Sequence, residues 1–270
     1  MRGVASRPMT AVRGGQRHAA MRALPEEVAV AIVAQGSTLA VMMTTPDDLE
    51  DFATGFCLTE GVITDPGQIE SYERVDHDRG IEVQLWLAED RAAAVAARRR
   101  FMAGPVGCGL CGIDSLDQAA RDVPRVAAGA VFAAAEVGGA TDLLRARQPL
   151  HDQSHAVHAA GFLMPGRGIV AAREDVGRHN ALDKLIGGLV RQGTDRAGGA
   201  AVLTSRVSVE MVQKCAMAGI PAIVAVSAPT TLAVETAERA GITLAAAARD
   251  GGFELWCGAE RIEGETDVAG

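Results

Sequence analysis

From residue 168 onward the chain alternates short apolar runs with amphipathic stretches of helix length, and this alternation restricts the fold more than any other feature. Strand candidates Gly168–Arg173, Ala200–Thr204, Ala222–Val226 and Leu244–Ala247 are separated by the helical stretches Asn180–Val190, Val207–Ala218 and Thr231–Ala240. Strands that alternate with helices predict an α/β layer architecture, because each apolar strand needs helices to cover its faces. In such folds ligands gather at the loops that follow the strand C-termini. Those loops are Arg173–His179, Ser205–Arg206, Ser227–Thr230 and Ala248–Gly252. No internal repeat is visible, and Gly193–Gly199 reads as an ordinary loop.

The N-terminal part has a different pattern. Val28–Val33 and Leu39–Met43 flank Gly36-Ser37, which predicts a strand hairpin. Thr45-Pro-Asp-Asp48 then reads as a helix start with a cap, a first-turn proline and two acids, and Leu49, Phe52, Ala53 and Phe56 share one helical face that should end at Gly61. Ile81–Trp86 alternates as a strand, and Ala88–Phe101, rich in Ala and Arg, reads as a helix. Residues 1–24 hold five arginines, no lysine and no acid, and no sustained apolar face, so a disordered basic tail is expected. An Arg-rich, acid-poor start also suits an organellar transit peptide. Residues 25–125 are then an α+β part, 126–258 an α/β part and 259–270 a C-terminal tail.

Bulk properties narrow the function. The 270 residues are 48% hydrophobic, enough for a packed core, and the net charge of −8 excludes a chain whose main task is wrapping nucleic acid. No apolar run approaches the roughly 20 residues that span a bilayer. A cytoplasmic, soluble protein is expected. Five cysteines, an odd number, do not resemble a secreted disulfide framework.

Only Cys108 and Cys111 are close in sequence, in Gly104-Pro-Val-Gly-Cys-Gly-Leu-Cys-Gly-Ile-Asp114. A structural zinc site needs four Cys or His ligands, usually as two close pairs; His155 and His158 lie three apart but have no cysteine near them in sequence, and the His-x-Glu of a zinc deaminase does not occur, so no metal ligation is expected. A thioredoxin-like pair normally opens a helix, whereas these cysteines are flanked by Gly107, Gly109 and Gly112. The glycines favour a mobile surface loop whose thiol reaches two partners in turn. Inert loop cysteines are the bland alternative. Asp114-Ser115 reads as the cap of a short helix.

The stretch Arg173-Glu-Asp-Val-Gly-Arg-His-Asn-Ala-Leu-Asp-Lys184 packs charges of both signs between a buried strand and an amphipathic helix, which is costly unless they pair or meet a ligand. The helix start can receive an anion there. A surface ion-pair cluster capped by Asn180, with Asp183 and Lys184 as a helix-surface pair, is the plainer alternative. Met211, Met217 and Leu232 are expected in the core.

These motifs together resemble one family. Cys108-Gly-Leu-Cys111 with Gly112, the Arg173–Lys184 stretch, Leu203-Thr-Ser-Arg206 with Glu210-Met-Val-Gln-Lys214, and Val226-Ser-Ala-Pro-Thr-Thr-Leu-Ala-Val-Glu235 look like the formate dehydrogenase accessory sulfurtransferase family, FdhD. Thr45-Pro46 and Gly55-Phe-Cys-Leu-Thr-Glu-Gly61 are similar to its N-terminal pattern, so the resemblance covers roughly residues 26 to 257. It implies a cytidine-deaminase-like fold without the zinc chemistry, usually a homodimer. It further implies a sulfurtransferase that takes sulfur from a cysteine desulfurase and passes it to a molybdenum (or tungsten) bis-guanine-dinucleotide cofactor, bound as substrate before insertion into formate dehydrogenase. Cys108 matches the persulfide-forming cysteine, with Cys111 its neighbour, and Ala247, Ala248, Arg249, Asp250, Gly251 and Gly252 match the cofactor-binding loop.

Arg178 is expected to meet diphosphate with Arg249, and His179 and Asp175 to orient pterin or phosphate. The sequence departs from the family at Ser154-His-Ala156, often Thr-Gly-Gly, and at Ala247, often aromatic. Alanine cannot stack on guanine. The rival readings are a cofactor chaperone that moves no sulfur and a dithiol oxidoreductase.

Overall fold

A computed structural model describes residues 3–92, 95, 123–126 and 128–264. Cys108, Cys111 and the helix start expected at Asp114-Ser115 lie outside the described residues. So does most of the helix expected over Ala88–Phe101, of which residues 89–92 are helical.

The architecture is mixed α/β. Strands β3 (Val28–Ala34) and β4 (Ser37–Thr44) form the expected hairpin, turning at Gln35 and Gly36, both with positive φ. Two further strands, β5 (Ile69–His77) and β6 (Gly80–Leu87), complete a four-stranded sheet of order β4-β3-β6-β5, in which β3 and β6 run parallel. The second sheet has six strands in the order β13-β12-β11-β10-β8-β9. Its members are β8 (His158–Met164), β9 (Gly168–Asp175), β10 (Ala200–Leu203), β11 (Ala222–Ala225), β12 (Thr243–Arg249) and β13 (Gly252–Cys257). Only β10, β11 and β12 form a parallel set; β8, β9 and β13 join through antiparallel pairs. The alternation in the sequence therefore marks the centre of the sheet, where apolar runs are covered on both faces.

Helix α2 (Ala134–Arg145) covers one face, packing Val137, Ala140 and Leu144 against Leu163, Val202, Val224 and Ala245. The other face carries α4 (Arg178–Arg191), α5 (Val209–Ala218) and α6 (Thr231–Ala240). Helix α1 (Leu49–Thr59) and the four-stranded sheet lie beyond them, and one core runs from Val30 through Phe52, Leu182 and Met211 to Leu244. The two parts distinguished in the sequence thus share a single interior. They meet most closely where α1 crosses α4: a Cβ on Gly55 would stand 1.8 Å from the Asp183 carbonyl oxygen, and one on Gly187 1.8 Å from that of Asp51. Backbones this close need glycine for lack of space rather than for its φ range.

Three expectations are corrected. Residues of the presumed disordered tail form a β-hairpin, β1 (Val4–Arg13) with β2 (Gln16–Pro25), turning at Gly14 and Gly15, both at positive φ. Its strands lack apolar alternation, so the only sequence sign of it is Gly14-Gly15. Its base rests on α3 (Pro149–Ser154), where Arg22 Nη2 donates to the Ser154 carbonyl at 3.4 Å. The presumed C-terminal tail is ordered through β14 (Ile262–Glu263), which pairs with β7 (Phe132–Ala133). Finally, the α1 cap is Asp48, in the left-handed region with no side-chain cap bond, instead of Thr45.

Candidate functional site

Thr45 is withdrawn from the cap because it serves Asp175. This fully buried carboxylate ends β9 and accepts hydrogen bonds from Thr45 N at 3.0 Å, Thr45 Oγ1 at 2.9 Å, Gly177 N at 2.8 Å and Asn180 Nδ2 at 3.0 Å, and also from Thr44 Oγ1. Lys184, also with no exposure, sits 2.7 Å from it and donates to Thr45 O and Thr45 Oγ1. Burying two charges is tolerated only when nearly every polar atom is met, as it is here. The expectation that Asp175 orients a ligand is corrected, since its oxygens are committed to the fold. The helix cap is Gly177, and Asn180 bonds inward to Met43 O.

The other charges of the stretch are placed in the same way. Arg173 grips Asp51 at 2.7 Å, and Arg191 meets Asp51 at 2.6 Å. Glu174 accepts the Leu150 and His151 backbone amides, both at 2.8 Å, at the start of α3. Asp183 and Lys184 are not a helix-surface pair. Asp183 pairs with Lys214 of α5 at 2.9 Å and accepts from Thr59 Oγ1 at 2.9 Å, tying α1, α4 and α5 together.

Two residues are left over by this network, Arg178 and His179, at the first turn of α4. Arg178 Nε and His179 Nε2 are buried without a hydrogen-bond partner among the described residues, as is Glu210 Oε2, which lies 4.0 Å from His179 Nε2. Buried polar atoms normally find partners, so three orphans in one place mark room for a polar ligand or water. Burial, then the charges of Arg178 and Lys214, hold the His179 pKa down at about 4 against the pull of Glu210. His158, at the start of β8, is lowered by burial and by Arg178. Burial pushes Glu210 up, but the Ser208 hydroxyl, its own backbone amide, His179 and Arg178 outweigh this and it lies below the usual carboxylate range. At neutral pH the cluster therefore presents a guanidinium, a carboxylate and two neutral imidazoles. No group of three or more His, Cys, Asp or Glu side chains among the described residues is placed to hold a metal.

The loop Ala247–Gly252 lies at the same end of the sheet but toward its other edge. Ala247 has φ 48° and its amide points to Ser227 O at 3.5 Å. Ala248 is buried, its carbonyl held by Thr141 Oγ1 at 2.7 Å. Asp250 and Gly251 make the positive-φ turn into β13, leaving Arg249, Asp250, Gly251 and Gly252 exposed. Three strands separate β9 from β12, a span of about 19 Å at normal strand spacing. The structure therefore does not bring Arg249 to Arg178 and His179. Between them lie the loops after β10 and β11, joined by a bridge from Val207 to Pro229. This edge holds exposed Arg206 and two exposed apolar side chains, Val226 at 37% and Leu232 at 48%. Leu232 is thus corrected from core to surface, because it lies in the first turn of α6 and faces away from the sheet; Met211 is buried as expected. Glu210 and His158 carry no local sequence signal as partners of His179; only the sheet order places them there.

Among the described cysteines, Cys57 and Cys215 have no exposure, and burial pushes both thiols up to about 12. Cys257 is partly buried and also raised, by burial first. None is set up as a thiolate.

A profile of the FdhD/NarQ family matches residues 25–263. The chain is 51% identical over 254 residues to the sulfur carrier protein FdhD of Agrobacterium fabrum, covering 94% of each chain. It is 50% identical over 242 residues to that of Brucella abortus, covering 89% of this chain and 90% of the relative. A crystal structure of a candidate formate dehydrogenase accessory protein from Desulfotalea psychrophila superposes with a TM-score of 0.77 at 26% identity, covering 97% of this chain and all of that one.

Proposed function

The chain belongs to the FdhD/NarQ family, and from that premise we propose that it is a sulfur carrier serving formate dehydrogenase. In this reading Cys108 receives sulfur from a cysteine desulfurase, and the acceptor is a molybdenum or tungsten bis-guanine-dinucleotide cofactor held at the sheet edge. We read the layering as deaminase-like and the protein as a cytoplasmic sulfurtransferase.

The observation that carries the reading is the polar edge of the six-stranded sheet. Arg178 and His179 at one end, Arg206 in the middle and Arg249 at the other suit a long ligand with separated diphosphates, since guanidinium groups match phosphate in charge and geometry. Neutral His179 and His158 can each donate one N–H to a phosphate or pterin oxygen. Val226 and Leu232 offer apolar contact for a guanine that Ala247 cannot stack. The buried, high-pKa thiols of Cys57 and Cys215 leave Cys108 and Cys111 as the carriers of choice.

The transfer has two steps. The Cys108 thiolate attacks the outer sulfur of the donor persulfide, giving Cys108–S–SH and the donor thiolate. Attack by the Cys111 thiolate on the inner sulfur then forms a Cys108–Cys111 disulfide and releases HS⁻ beside the acceptor. A reductant must afterwards restore the dithiol.

Peptide mass spectrometry after incubation with a cysteine desulfurase and cysteine tests this. A reductant-reversible gain of about 32 Da on the Cys108 peptide, absent in Cys108→Ala and retained in Cys111→Ala, supports it. Absence of the gain with a competent desulfurase, together with retained activation of formate dehydrogenase by Cys108→Ser, would replace it with the chaperone reading.

A further inference from the structure

The β1–β2 hairpin is the least supported element of the fold. Its ten-residue strands extend about 34 Å, yet among the described residues its hydrogen bonds to the rest of the fold lie at its base, to α3 and Glu26. A two-stranded ribbon in water is marginal by itself. Both of its faces are exposed, including Met9 at 38%, Val12 at 64% and Met21 at 64%.

Its charge is equally unmet. Arg7 and Arg22 stand directly opposite each other in the register, a like-charge pair that opposes the hairpin. Arg7, Arg13, Arg17 and Arg22 make no ion pair among the described residues. The first 25 residues contain five arginines and no acid, so the rest of this chain of net charge −8 carries −13.

Part of that excess lies beside the hairpin. A groove of about 320 Å³ between the start of α1 and β5 is lined by the carboxylates of Asp47, Asp48, Glu50, Asp51 and Glu73 against the guanidiniums of Arg74 and Arg191, with Tyr72 at its wall. Arg191 is taken up by Glu50 and Asp51, Arg74 by Asp76, and Arg173 pairs with Asp48 and Asp51. Asp47 and Glu73 have no cationic partner among the described residues. The hairpin's first residue adjoins this groove, since a Cβ on Gly3 would stand 2.5 Å from Asp47 Oδ2. A hairpin that leaves the rim of its own groove is well placed to enter the same groove of a two-fold-related copy, and the contact then closes on itself.

We propose that the β1–β2 hairpin is an arm that seats in the acidic groove of a second copy of this chain, each arm clasping the other copy's Asp47–Glu73 wall. The clasp neutralises the Arg7–Arg22 pair and covers Met9 and Met21. It is electrostatic at its core, so added salt loosens it.

Sedimentation equilibrium of the full chain tests the clasp through charge reversal. Arg7→Glu/Arg22→Glu and Asp47→Arg/Glu73→Arg should each raise the dimer dissociation constant at least tenfold. Mixing the two variants should restore the wild-type constant, because each reversed arm then meets a reversed groove and each native arm a native one. Restoration also shows that both variants fold. A monomeric wild type, a dimer indifferent to both reversals, or a mixture no tighter than its components would overturn the proposal. So would a monomer whose arm binds anionic vesicles or DNA.

Discussion

Asp175 and Lys184 show how a residue's role depends on where the chain carries it. Both sit in a run of charges that reads from sequence as a ligand site or a surface cluster, and neither description fits them. Their assignment needed Thr44 and Thr45, which arrive from 130 positions away. Removing one partner of a buried pair strands the other, so Lys184→Ala should cost roughly 3–5 kcal/mol, measured by urea unfolding, and Asp175→Leu should cost at least as much, because it also strands the Thr45, Gly177 and Asn180 donors. His179 supplies a pH signature. Its folded pKa lies below that of the unfolded chain, so between pH 6.5 and about 4 the unfolded state takes up a proton that the native state refuses. Stability is fully present above that window and falls as the pH drops through it. His179→Gln should flatten this slope in denaturation series at pH 4.5, 5.5 and 6.5; an unchanged slope would mean that His158 and the carboxylates dominate.

At the scale of elements, regular helices and the strands buried on both faces were legible because their apolar periodicity is set by the layers around them. Helices α4, α5 and α6 fall within two residues of their expected bounds. Strands β8 and β13 and helix α2 stand out less: β8 is a short apolar run without alternation, β13 mixes Phe, Leu and Trp with Glu254, and α2 is rich in Ala and Gly, so each depends on distant partners. The β1–β2 hairpin likewise lacks the apolar alternation that marks a strand. Of the candidate site, Arg178 and His179 were legible from a charge-dense helix start, whereas Glu210 and His158 depend on strand order. The α1–α4 crossing can be tested directly. Gly55→Ala puts a methyl group into backbone and should cost about 1–3 kcal/mol or more, seen as a lowered urea midpoint at constant slope. An unperturbed midpoint would mean that the helices can part freely.

At the scale of the whole molecule, one core running from Val30 to Leu244 should make both sheets unfold together. Trp86 lies in the four-stranded sheet and Trp256 in the six-stranded one. Single-tryptophan variants, Trp86→Phe and Trp256→Phe, should therefore report the same urea midpoint; two separated midpoints would divide the chain into independently folding parts. The polar sheet edge and the N-terminal hairpin lie on this common frame, so destabilisation at α1 should loosen both together.

The glycine crossing between α1 and α4 has a consequence for synthesis. Gly55 leaves the ribosome about 130 residues before Gly187, an interval of roughly 7–26 s at ordinary elongation rates. During that time Phe52, Ala53 and Leu58 have no partner helix to cover them. A nascent chain halted before α4 would expose this greasy, close-fitting surface, and it should depend on a holding chaperone in a way that the completed chain does not.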